Sequence, residues 1–190
     1  MKYKGIIVSG LPCSGKSVLC EKLAQEYGWN IFSFGKMWRD KWRLAYPNGN
    51  ISFEDWWRNT TIEDNKQMNT VGKELFKRGD FIIDSRYSAF YCKDLPYLRV
   101  FLNADLDTRV KRCKEREDRN VTEGVLAKGR SEEELRKIVQ EREQDEYKMG
   151  QEIFSEDYRK LSHYNLMLNT GEFTIMQEFN CLRALLETTR

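Results

Sequence analysis

The chain has few prolines, one histidine and almost no net charge, and each shortage removes a class of function. Only Pro12, Pro47 and Pro96 occur in 190 residues, so no Pro-rich linker divides the chain. No internal repeat or low-complexity tract appears either. A lone histidine, His163, and five cysteines without a CxxC pair do not supply the usual zinc clusters. Cys13, Cys20, Cys92, Cys113 and Cys181, odd in number and scattered, are expected as free thiols in a reducing cytoplasm, since no export signal precedes them. No apolar run approaches the roughly 20 residues that span a bilayer, so no membrane partner is expected. With 32 basic against 30 acidic residues, the net charge is +2. That lacks the basic excess of a dedicated nucleic-acid binder. The length suits one domain, expected as a monomer.

What is present is a pattern of short apolar runs alternating with helical stretches. Gly5–Ser9, Asn30–Phe34, Phe81–Asp84, Leu98–Leu102 and Leu166–Asn169 have the length and continuity of strands buried on both faces of a parallel sheet. Between them, Leu19, Leu23 and Tyr27 recur every four residues and stop at Gly28, a helix with its natural terminator. Trp38, Trp42 and Ala45 share a face, Ile62–Arg78 ends at Gly79, and Asp105 can cap a helix reaching Glu117. Ser131 followed by three glutamates opens a charged helix with a capping box, and Ile175, Phe179, Leu182 and Leu186 make the stripe of a last helix. Alternating strands and helices predict a doubly wound α/β fold. Two helical segments fit that core poorly: 36–79, rich in Trp, and 118–159, rich in charge. Both are expected to be flaps around a central site.

Gly10-Leu11-Pro12-Cys13-Ser14-Gly15-Lys16-Ser17 fits G-x-x-x-x-G-K-[ST] in full. A predicted strand precedes it and an amphipathic helix follows, the context that gives the motif its meaning. Glycines let successive N–H groups turn inward onto phosphate oxygens, and the helix N-terminus adds partial positive charge. Gly10, Cys13, Ser14 and Gly15 are therefore expected to line a nucleotide phosphate site. Lys16 should reach the β- and γ-phosphates of ATP and the Ser17 hydroxyl should ligate Mg²⁺. Phe81–Asp84 would bury a strand and leave Asp84 at its active end, placed to hold Mg²⁺ through water.

Phosphoryl transfer depends on positioning and on neutralising charge, so converging arginines matter. Arg86 follows Asp84 by two residues and Arg39 follows the second strand; each can fork a monophosphate in a way lysine cannot. Arg109, Arg112 and Arg116 share a helical face, with Arg130 and Arg142 further along. A solvated face paired with nearby glutamates presents the same stripe. Trp38, Trp42, Trp56 and Trp57 read first as packing for a small helical flap rather than as a base-stacking box, and Cys13 as a small filler in the loop.

Taken together, these residues resemble the nucleoside monophosphate kinase family, most closely its compact archaeal-type cytidylate kinases. The resemblance runs from Ile6 to the last helix. It rests on the phosphate loop, Ser33-Phe34-Gly35 with Arg39, Asp84-Ser85-Arg86, Arg109 to Arg112 with Arg116-Glu117, Arg142-Glu143, and Leu161 to Leu166 with Asn169-Thr170. It implies a five-stranded parallel sheet of the P-loop NTPase type, with an acceptor-binding flap and a lid. It also implies transfer of the γ-phosphoryl of ATP, with Mg²⁺, to CMP or dCMP. Lys16, Arg112 and Arg142 would neutralise the moving phosphoryl, Arg39, Arg86 and Asn69 would hold the acceptor, and Arg109, Asn169 and Thr170 would serve ATP. Asn65 and Asn69 stand where carboxylates are commoner in that family, and Thr122–Arg130 has no familiar counterpart. Kinases with another acceptor, and a protein that binds ATP without transferring it, share the phosphate loop.

Overall fold

The computed structural model describes residues 3–118 and 129–188. Most of the 122–130 insertion lies outside them, as does the side chain of Arg116. Five strands, β1 (Gly5–Gly10), β2 (Asn30–Ser33), β3 (Phe81–Asp84), β4 (Leu98–Asn103) and β5 (Leu166–Asn169), form one parallel sheet in the order β2-β3-β1-β4-β5. Helices α1 (Lys16–Tyr27), α2 (Phe34–Ala45), α3 (Phe53–Arg58), α4 (Ile62–Phe76), α5 (Ser88–Tyr91), α6 (Leu106–Asp118), α7 (Glu132–Phe154) and α8 (Ile175–Thr188) complete it. None of the described helices is long and apolar enough to cross a membrane.

Period-two alternation in β1 explains why it sits at the centre. Ile6 and Val8 point into a layer with Leu19 and Leu23 of α1 and Phe179, Leu182 and Leu186 of α8. Ile7 points the other way, against Phe34, Phe76 and Ile83. All six β1 residues are buried, as a strand covered on both faces must be. β2 departs from the expectation of a doubly buried strand. It lies at the sheet edge, its residues range from half-buried to exposed, and its fifth expected residue, Phe34, begins α2 behind an N-cap made by Ser33. The capping box at Ser131 forms through Glu134, and Asp105 caps α6 by accepting from the Thr108 N–H.

Parallel strands place all their C-terminal ends on one edge, so Gly10, Ser33, Asp84, Asn103 and Asn169 converge there. Over this edge stand α2, α3 and α4 from the 36–79 segment and α7 from the 118–159 segment. One cysteine expectation is overturned. Cys13 and Cys113 form a disulfide, while Cys20, Cys92 and Cys181 are free. A pair separated by 100 positions leaves no spacing signal, and only the docking of α6 beside the phosphate loop brings the two together.

Candidate active site

The phosphate loop leaves β1 at Gly10, where φ is 145° and an added Cβ would lie 2.2 Å from the Leu102 carbonyl oxygen. Only glycine fits so close to β4. The loop is fixed by Leu11 N–H donating to Leu102 O and Ser14 N–H to Leu11 O. It ends at Gly15 in the left-handed region, the N-cap of α1. The first N–H groups of α1 therefore face the loop interior without helical partners, an arrangement that attracts anions. The Ser14 hydroxyl is buried there, and no partner for it exists among the described residues. That orphaned donor and the inward amides fit a bound phosphate.

Lys16 is buried, and its Nζ donates to Gly10 O at 2.9 Å and Leu11 O at 2.8 Å. Burial first, then the Arg86 charge, push its pKa down from 10.5 to about 7, although Asp84 and Glu146 oppose the shift. Beside it, Ser17 and Asp84 line a cavity of about 230 Å³ with Ser33 and Lys36. The Ser33 hydroxyl donates to Asp84 Oδ2 at 3.0 Å, which fixes the carboxylate across the β2–β3 pair. A hydroxyl and a carboxylate facing one space suit a hard divalent cation with water completing its shell. Ser17 directly, and Asp84 through water, would hold Mg²⁺ there.

A larger cavity of about 310 Å³ lies between the 36–79 segment, the turn after β3 and α7. Phe34, Gly35, Trp38 and Arg39 from the α2 segment, Asn65 and Asn69 of α4, Arg86, and Arg142 of α7 are among the residues lining it. The expected acceptor residues Arg39, Arg86 and Asn69 therefore share one space with Arg142. Trp38 and Trp57 also reach it. Trp42 and Trp56 pack with Phe53, so the tryptophans build the flap and two of them also face the cavity. The 36–79 and 118–159 segments meet directly: Arg58 of α3 pairs with Asp145 of α7 at 2.7 Å.

The remaining expected residues lie elsewhere around the loop. Arg112 donates to Ser14 O at 3.2 Å, Thr170 Oγ1 at 2.7 Å and Thr170 O at 2.5 Å. Thr170 is buried, while Asn169 is exposed at the end of β5. Arg109 is held away from both cavities, with Nε donating to Ala104 O and a terminal nitrogen 3.0 Å from Glu143. It braces α6 against α7.

One residue that sequence reasoning passed over stands at the junction of the two sites. Glu146 of α7 is 3% exposed and pairs with Arg86 Nε at 2.5 Å and Arg142 Nε at 3.1 Å. Burial pushes its carboxyl up, but Arg86, Arg142 and Lys16 outweigh burial and hold it below the usual carboxylate range. Burial likewise opposes the Arg86 charge, and Glu146 with Asp84 helps to hold that guanidinium protonated. The signal available was its place four residues after Arg142 on one helix.

A doubly wound sheet with a complete phosphate loop and cations gathered at its active edge defines a P-loop kinase. The chain belongs to the cytidylate kinase-like family, whose model matches residues 6–172. It is 30% identical to a cytidylate kinase of Methanopyrus kandleri, over 96% of this chain and 92% of that protein. It is 27% identical to a cytidylate kinase of Pyrococcus horikoshii, over 96% and 88%. Among solved structures, an uncharacterized protein from Eubacterium ventriosum superposes with a TM-score of 0.72 at 14% identity, covering 99% of both chains. Shikimate kinase from Aquifex aeolicus superposes at 0.56 and 18% identity, covering 96% of both. At such identities the structures speak for the fold, and the family match carries the class: a phosphotransferase of the nucleotide kinase kind.

Proposed function

We propose that the protein transfers the γ-phosphoryl of ATP to a pyrimidine nucleoside monophosphate, CMP or dCMP. The observation that carries this reading is the 310 Å³ cavity, which holds Arg39, Arg86 and Arg142, the last two near enough to Lys16 to push its pKa down. Five arginines line that cavity alongside five carboxylates, and Arg39, Arg86 and Arg142 among them suit an acceptor that itself carries a phosphate. Lys16 and Arg142 would neutralise the transferring group from two sides, while Arg39 and Arg86 fix the acceptor phosphate for in-line attack. Arg112 and Thr170, already joined beside Ser14, would close the loop from the ATP side, with Asn169 at the rim. Bound Mg²⁺ would supply charge neutralisation on the phosphate oxygens, held by Ser17 and, through water, by Asp84. No general base is required, because a phosphate monoester oxygen is already anionic near neutral pH.

The base preference rests on two amides. Asn65 Nδ2 donates to Thr60 Oγ1 and Thr61 O, and Asn69 Nδ2 donates to Asn65 O. Both N–H donors of Asn65 and one of the two on Asn69 are engaged within the flap, which leaves the amide oxygens and the second Asn69 N–H for the cavity. An exocyclic amino group such as that of cytosine satisfies such oxygens, whereas the carbonyl of uracil at that position repels them.

The test is coupled ADP formation with ATP against all common ribo- and deoxyribonucleoside monophosphates, with shikimate and a sugar acid as non-nucleotide acceptors. CMP and dCMP should be phosphorylated fastest. Preference for an acceptor without phosphate would overturn the reading.

A further inference from the structure

The disulfide bond between Cys13 and Cys113 has no part in the phosphotransfer reading, although Cys13 belongs to the phosphate loop. Cys13 lies at the tip of the phosphate loop, in the left-handed backbone region at φ 61°. Cys113 is completely buried on α6, among Val110, Leu135 and Val139. Their neighbours are joined as well: Arg112 donates to the carbonyl of Ser14. The 13–113 bridge and the 14–112 hydrogen bond are thus adjacent rungs between the loop and α6. In this oxidised form both cations closest to the loop are engaged by protein carbonyls, Lys16 by Gly10 and Leu11 and Arg112 by Ser14 and Thr170. For Arg112 to meet a nucleotide phosphate, its bonds to Ser14 and Thr170 must be exchanged, which loosens α6 from the loop. A covalent tether one residue from each end of the Arg112–Ser14 contact opposes that loosening.

We propose that Cys13 and Cys113 form a reversible redox site which, when oxidised, locks α6 onto the phosphate loop and weakens nucleotide binding. The oxidant is a low-molecular-weight disulfide. The half-buried Cys13 thiolate attacks one of its sulfurs and displaces one small thiolate, giving a mixed disulfide. Cys113 then attacks the Cys13 sulfur and displaces the second small thiol. Two protein thiols lose two electrons and two protons, and the small disulfide becomes two thiols. Excess dithiol reverses the exchange. In a reducing compartment the pair rests as thiols and the loop is free, so the site responds only when the thiol pool becomes oxidised.

The experiment uses the full chain, reduced with dithiothreitol or equilibrated with oxidised glutathione. Binding of a fluorescent, non-hydrolysable ATP analogue is measured for each form and for Cys113→Ala treated in the same way. Mass spectrometry of unreduced peptides reports the link. We expect a peptide joining Cys13 to Cys113 and binding weaker by about tenfold in the oxidised protein, a usual size for coupling between two sites. Dithiothreitol should restore binding. Cys113→Ala cannot close the bridge and keeps the small thiol on Cys13 as a mixed disulfide, so the Cys113→Ala protein separated from that adduct should bind as reduced wild type does after either treatment. Equal affinity in the two wild-type forms, failure of the link to form, or the same binding loss in adduct-free Cys113→Ala would overturn the proposal. The lock rests on the phosphate loop holding ATP and not on the choice of acceptor. Reduced protein that binds the analogue but phosphorylates no monophosphate would sink the acceptor reading and leave the lock standing.

Discussion

The two halves of the site are built in opposite ways. The phosphate loop is one unbroken stretch, residues 10–17, fixed by backbone bonds within itself and to Leu102 of β4 and by Arg112 and Thr170 on the Ser14 carbonyl. The larger cavity is assembled from α2, α3, α4, the turn after β3 and α7, and charge holds its parts together. Arg86 and Arg142 share Glu146, and Arg58 reaches Asp145. A backbone cradle is rigid before anything binds, so it can recognise a common feature of all nucleoside triphosphates. A cavity tied by ion pairs can exchange partners when a phosphate enters, so it can close around one acceptor.

That contrast predicts where mutations act. The largest effect belongs to Lys16→Ala, which removes one preorganised charge from the transferring phosphoryl and should lower turnover by roughly 10²–10³. The thermal midpoint should hardly fall, because the buried ammonium gives the core no favourable burial. Near-normal turnover in a steady-state ADP assay would remove the loop from the chemistry. On the other side of the comparison, Glu146→Gln leaves two half-buried guanidiniums without their shared buried carboxylate. Breaking a buried pair of this kind costs about 3 kcal/mol, enough to lower the midpoint of a domain of this size by roughly 5–15 °C. If the carboxylate only stands in for substrate phosphate, millimolar inorganic phosphate should recover part of that loss in Glu146→Gln and add less to the wild type. A mutant as stable as wild type would show that the cavity does not depend on this pair.

Arg86→Ala separates the halves more finely. The guanidinium forms charge-assisted hydrogen bonds with a monophosphate in the proposed complex, each worth about 1.5–3 kcal/mol. Acceptor kcat/KM should therefore fall by roughly tenfold to a hundredfold, partly in kcat because a loosely held acceptor misses the in-line geometry. Affinity for ATP alone should change little, and Arg86→Lys should recover only part of the loss. Collapse of ATP binding with normal acceptor kinetics would move Arg86 to the donor side.

The same contrast governs what could be read before the structure. β1, β3, β4 and β5 announce themselves through short apolar runs, and the loop through glycines that the close approach to Leu102 makes necessary. These are local constraints and leave local marks. Glu146 carries no such mark. In a helix as acidic as α7 it looks like any solvated glutamate, and only folding brings Arg86 to it from 60 positions away. The six residues of α3 are too few to show a helical period, although Ser52 before Glu54 and Asp55 is the sign of its N-cap. The Cys13–Cys113 bridge depends wholly on how α6 docks. Arg109, read as part of one stripe with Arg112, turns instead to Glu143, because a helix face of that width spans both the loop and the neighbouring helix.

The smallest effect tests the cradle alone, through a proton. Lys16 titrates near 7 in the empty protein, mainly because it is buried and secondarily because Arg86 stands close. A base whose folded pKa is depressed makes its charged form costly. Below about pH 7 both folded and unfolded chains carry the proton and the whole cost is present. Between 7 and 10.5 the unfolded chain binds more protons, so stability from this group rises with pH. An entering triphosphate reverses the balance, since its anionic oxygens favour the ammonium. At pH 8.5, where free ATP is fully ionised, binding should therefore take up about one proton. At pH 6, where Lys16 is already charged, this contribution should vanish. Calorimetry of ATP binding in two buffers of different ionisation enthalpy reads the number directly. Lys16→Met should abolish the uptake at pH 8.5, while Arg86→Ala should reduce it, because removing the neighbouring charge raises the Lys16 pKa in the empty loop. Uptake that is equal in wild type and Lys16→Met would assign the proton to another group and leave the lysine charged throughout.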